Sequence, residues 1–127
     1  MIYNKEPDKV LWDIMKELSD SIPIYKEVMY EEPEDTPPSY IVLRSQVSDS
    51  TEIFGDGLSQ VRSADCDIIL VSKGYADDST DLHNKNKQLI KQHLKKQDIS
   101  FGEFNLGYSD SLKSTQHTFS LVVEYLG

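Results

Sequence analysis

The stretch "RSADCDIILVSKG", residues 62–74, limits the folds open to this chain more than any other. In a strand, successive side chains point to opposite faces. Ala64, Cys66, Ile68 and Leu70 then share one wholly apolar face, and Asp65, Asp67, Ile69 and Val71 share a mixed one. Such a segment suits the middle of a sheet that packs one face on a core and leaves the other partly wet. Upstream, "YIVLRSQV" (residues 40–47) has strand composition too, and the two strands pair most simply as a hairpin. Gly55-Asp56-Gly57 supplies the positive φ angles of the turn.

Between these strands lies a polar arm, residues 48–60, in which Ile53, Phe54 and Leu58 are stranded beside Glu52 and Asp56. Apolar side chains on a hairpin tip mark a contact with another protein. The competing reading folds them back onto their own sheet.

The rest of the chain fits around that hairpin. Pro7 and Asp8 open a helix from about Pro7 to Ser19, since proline suits the first turn and an acid suits the positive end of the dipole. Val10, Leu11, Ile14, Met15 and Leu18 recur at helical spacing, with Trp12 off the stripe and needing cover of its own. "IPIYKEVMY", broken by Pro23, reads as a short edge strand. Residues 31–39 are an acidic, proline-rich loop that neither helix nor sheet accepts. Ser79 or Thr80 is positioned to cap a second helix, with Leu82, Leu89, Ile90, His93 and Leu94 as its buried stripe. "ISFGEFNLGY" and "TQHTFSLVVEYL" are two further strands, and in the last one His117, Phe119, Leu121, Val123 and Tyr125 alternate onto one face. The expected fold is a single α+β domain over residues 1–127. It has a mostly antiparallel β-sheet, two helices packed on one face and a long β-hairpin arm. At 127 residues the chain is long enough to bury one core without staples.

Charge narrows the partners. The net charge is −9, so most of the surface repels nucleic acid. The charge is also segregated: residues 1–35 carry −6, and residues 82–97 carry five lysines and no acid. Copies of such a chain pack head to tail, acid against base. Lys87, Lys91 and Lys95 are the candidate contact residues on the basic side. A solvated lysine face is the plainer reading of the same pattern. The single cysteine, Cys66, permits no internal disulfide and fits a reducing compartment. The first residues lack the pattern of a signal peptide, and no apolar run reaches membrane-spanning length, so no membrane partner is expected.

No catalytic signature competes with a binding role. His83 and His93 sit ten apart on one helix and point roughly 80° apart, poor geometry for a shared metal. His93 and His117 read as core histidines, and Cys66 as a small buried hydrophobe. Asp65 and Asp67 share a strand face, where a third carboxylate or a histidine would complete a cation site; the plainer reading is the wet face of a strand. "GDGLSQ" lacks the phosphate-loop pattern. No enzyme activity, cofactor or metal is expected.

Taken in order, the N-terminal helix, "PPSYIVL", the polar arm, "RSADCDIILVSKG", the lysine-rich helix and "STQHTFSLVVEYL" resemble the tail-completion proteins of long-tailed phages. These are also called tail terminators or tail-to-head joining proteins. The likeness covers most of the chain and rests on element order and length. It implies a structural virion protein that assembles as a homo-oligomeric ring, a hexamer in the usual case, on the end of the tail tube. Such a ring ends tube polymerisation, meets the head connector or head-completion protein, and lets DNA pass as non-specific cargo. The implied location is the head–tail junction of the virion, and the host cytoplasm during assembly. The acidic balance suits a channel wall that does not hold DNA. The alternative function is an acidic adaptor or inhibitor that acts by mimicry of DNA.

Overall fold

The computed structural model describes residues 2–26, 38–54, 59–73, 76–109 and 114–126, and for 47–54, 59–61, 76–81 and 106–109 the backbone path alone. The alternating segment is a central strand, β4 (Ser59–Lys73), and its antiparallel partner is β3 (Ser39–Phe54). On its other side β4 pairs antiparallel with β6 (Ser114–Leu126). The free edge of β6 is shared by β5 (Gly102–Ser109), antiparallel, and β1 (Ile2–Tyr3), parallel. The far edge is β2 (Ile24–Lys26), parallel to β3. The sheet is therefore mixed: the long ladders are antiparallel, and the two short edge strands are parallel. The proline-rich loop falls mostly on residues 27–37 and the turn glycines on 55–58, both outside the described residues.

Register fixes which side chains share a face. Across β3, β4 and β6, the rows Leu43–Ile68–Phe119 and Ile41–Leu70–His117 run along the inner face. Cys66–Leu121 and Ala64–Val123 continue it. Nearly all of these are buried with Val10, Leu11, Ile14 and Met15 of α1 (Pro7–Met15) and Ile90 and Leu94 of α2 (Ala76–Lys96) in one core. Both helices thus cover the same face, as the patterning requires. Phe119 sits at the centre, with the Phe101 ring edge-on at 5.7 Å and the His117 ring at 4.9 Å.

Three local expectations are corrected. The first helix is α-helical only to Met15 and tightens to a 3₁₀ turn over Lys16–Asp20, where Ser19 Oγ donates to the Lys16 carbonyl. Such side-chain competition is what serine does near a helix end. The second helix begins at Ala76, so Ser79 and Thr80 lie inside it rather than capping it. Its buried stripe is also rotated: Leu82 is 41% exposed and Leu89 half-buried, while His83 and Asn86 are buried. Trp12 finds its cover within the chain, with Lys26 Nζ 5.3 Å from the ring centroid.

The end of α2 is closed by a double bond pattern. The Ile99 N–H donates to the Leu94 carbonyl at 3.0 Å, and Asp98 N–H to the Lys95 carbonyl at 3.0 Å. That is a Schellman arrangement with Asp98 at φ 59°, in the position usually held by glycine.

Candidate interaction surfaces

The arm is a continuation of the β3–β4 ladder. β6 leaves that ladder at Val61, opposite Leu126. Beyond it, among the described residues, only two strands remain, with Ile53 opposite Gln60 and Phe54 opposite Ser59. A register shift between Val47 and Thr51 interrupts the ladder just before this ribbon starts. Such irregularities add local twist and re-aim a hairpin. Ile53 and Phe54 therefore sit on the backbone of a two-stranded projection, with Glu52 at its base opposite Val61. Asp56 and Leu58 lie outside the described residues, as do the side chains of 52–54.

Lys87, Lys91 and Lys95 recur every four residues along α2, so they form one ridge. Lys91 Nζ is 3.2 Å from Glu103 Oε2 on β5, and the other oxygen of Glu103 is 3.2 Å from His117 Nε2. Burial raises the Glu103 carboxyl, but Lys91 and His117 outweigh it and hold the carboxyl below its usual range. Burial also pushes the His117 imidazole down, and Lys87 and Lys91 add to this against the pull of Glu103, so it is held below its ordinary value. A neutral His117 donates Nε2–H to the carboxylate, which leaves Nδ1 as a buried acceptor with no partner. Lys87 and Lys95 have no ion partner among the described residues.

Next to this triad lies a buried polar layer that the sequence reading missed. Asn86 Nδ2 donates to Ser39 Oγ at 2.8 Å, Ser39 Oγ meets Ser72 Oγ at 3.1 Å, and Ser72 Oγ meets His83 Nδ1 at 2.7 Å. One proton order satisfies the whole chain: Asn86 donates to Ser39, Ser39 to Ser72, and Ser72 to a neutral His83. Burial, then Lys87 and His117, hold the His83 imidazole below its ordinary value, which suits the acceptor role. Ser72 against His83 has the spacing of a nucleophile and its base, yet Ser72 is fully buried on the inner face, where a substrate has no access. The layer instead fixes α2 at one azimuth on the sheet. His93 does the same at the other end. Its Nε2 donates to the Ile14 carbonyl at 2.6 Å, beside Gln97 Nε2 at 2.9 Å, and the two tie α2 to the end of α1.

Asp65 and Asp67 face away from the helices. Asp67 is taken up by Arg44 Nη2 at 2.7 Å and by Ser120 Oγ at 2.9 Å. The three histidines are all on the helix side, so none of them joins these acids, and no cluster able to hold a metal occurs among the described residues. Cys66 is buried as expected, and burial, with Asp67 and Asp65 nearby, pushes its thiol up to about 12.

The helix-free face of the sheet is unevenly covered. Tyr40 and Val71 are buried there, and the Tyr25 ring meets Tyr40 edge-on. At the other end Val122 is 61% exposed, Leu126 48% and Ile2 50%. Phe104 is exposed beside Thr118. No described helix is long and apolar enough to cross a membrane. Among the acids with described side chains, Asp13 pairs with Lys5 and Lys16, Asp67 with Arg44, and Glu103 with Lys91; the acidic run at 27–35 lies outside the described residues. No protein-family model matches the chain, and neither does any curated protein.

Proposed function

We propose that this chain is the subunit of a ring that caps the tail tube of a long-tailed phage, ends its growth and forms the joint with the head. The observation that carries the reading is the two-stranded ribbon that extends past the last β6 pairing at Leu126, with Ile53 and Phe54 in it. A ribbon stripped of its third strand is marginal by itself and gains stability when it docks on another surface. The unpaired lysines of α2 and the exposed apolar side chains of the sheet add further surface for neighbouring copies. The net charge of −9 is compatible with a channel through which DNA passes without being held. The tube protein, the head connector and further copies of this chain are the partners, and the head–tail junction of the virion is the location.

Deleting residues 52–58 and reclosing the hairpin tests the proposal. The shortened protein melts within a few degrees of the parent but fails to join heads to tails in an in vitro complementation assay. A shortened protein that joins them at full efficiency refutes the role of the arm.

A further inference from the structure

The acidic and apolar corner of the sheet and the lysine ridge of α2 lie on opposite layers of the same chain. On the helix-free face, Val122, Glu124 and Leu126 follow one another along β6. Ile2 flanks Glu124 in register on one side, and Asp65 flanks Val122 on the other. The three apolar residues and both acids are exposed, and neither acid has an ion partner among the described residues. The corner is thus an open apolar patch carrying two unneutralised carboxylates. On the helix layer, the ridge offers Lys87 and Lys95 unpaired on either side of Lys91, which is bound to Glu103.

We infer that the occupant of this corner is a second copy of the chain, docked by its α2 ridge, with Lys87 and Lys95 on Asp65 and Glu124 and the lysine stems over Val122, Leu126 and Ile2. This names the contact within the ring proposed above and rests on that reading. The complementarity is in charge, spacing and chemistry. Eight residues of helix place the two lysines about 12 Å apart along the axis. One strand spacing across and two residues along place the two carboxylates about 8 Å apart, a difference that two long side chains absorb. Lysine stems lie well on apolar surface while their ammonium groups reach outward to an acid. The two surfaces belong to different layers, so they cannot meet within one chain. They are not the same patch either, so the contact is heterologous: each copy uses its corner on one neighbour and its ridge on the other, which closes a ring or grows a filament.

The test uses two reversed proteins, Asp65→Lys/Glu124→Lys and Lys87→Glu/Lys95→Glu, each analysed by sedimentation velocity alone and as an equal mixture. All four positions are exposed or half-buried, so each variant keeps its fold, which circular dichroism checks. Each variant alone loses the assembly that the parent forms, because its corner and ridge now repel at every contact. The mixture restores it, because each altered surface meets its complement in an alternating order. Variants that assemble alone as the parent does overturn this contact and leave the ring standing. A parent that stays a monomer at all concentrations, with or without tail tubes, overturns both. Loss of assembly in each variant with no rescue on mixing also counts against the pairing.

Discussion

Val122 and Val123 are neighbours of the same type, and the fold gives them opposite fates. Val123 is 1% exposed, opposite Ala64 on the helix face, and Val122 is 61% exposed, opposite Asp65. Threonine has the shape and strand preference of valine and differs by a hydroxyl, so Val→Thr at each position isolates the effect of burial. At 123 the hydroxyl enters an apolar site without a partner, which costs about 2 kcal/mol. At 122 it meets water, and the change stays within about 0.5 kcal/mol. A chain of 127 residues unfolds with an entropy of roughly 0.27 kcal/mol/K at its midpoint. Val123→Thr therefore lowers the melting temperature by about 7 °C and Val122→Thr by less than about 2 °C. Circular dichroism melts on dilute protein, where association adds nothing, make the comparison. Equal shifts, or a larger shift at 122, would mean that this corner of the helix-free face is covered, and the contact proposed between copies would lose its surface.

Three further outcomes follow from the same geometry. His83 and His117 are held below their ordinary values in the fold, so the unfolded chain takes up their protons first as the pH drops below about 6.5; stability falls from there downward. Urea melts between pH 7 and 5.5 show this limb, and a His83→Gln/His117→Gln variant flattens it; an unchanged limb in the variant refutes the assignment. Glu103, held low, acts in a separate window below its usual range, where its loss of charge removes the bond to Lys91. Cys66, buried and pushed up to about 12, stays unreactive to a thiol reagent at pH 8 and is labelled after unfolding; fast labelling of the native protein contradicts its place on the inner face. Asp98→Gly relieves a left-handed residue in the Schellman turn and raises stability by about 0.5 kcal/mol, or about 2 °C; a drop in the melting temperature shows that the aspartate side chain makes a compensating bond.

Much of the layer structure was legible because it rests on period. Alternation in 64–70 and 117–125 assigned the inner face residue by residue, and the helical stripe of α1 pointed to the same core. Cys66 followed from its place in that alternation, whereas Trp12 lies off the stripe and its cover comes from elements its own helix does not specify. The two parallel edge strands were harder to read for a physical reason. β1 is two residues long and β2 three, so neither carries a period, and each exists through pairing with a strand distant in sequence. The polar layer was invisible for a similar reason. His83 and Asn86 are tolerable in a core only because Ser39 and Ser72 arrive from two other strands to bond them. A hydrophobic stripe drawn on α2 alone prefers Leu82, which the fold leaves outside. Of the candidate contact residues, Lys87, Lys91 and Lys95 were readable as a ridge from their spacing. The commitment of Lys91 to Glu103 depends on where β5 runs. Val122 is readable as exposed only once the phase of β6 is anchored by its neighbours.

Size-exclusion chromatography with light scattering over a wide concentration range, with negative-stain images of each peak, tests the central claim most directly. The account predicts a mass that is a fixed whole-number multiple of the 14.5 kDa chain and closed rings with a central hole. A 14.5 kDa species at every concentration, unchanged when purified tail tubes are added, contradicts it.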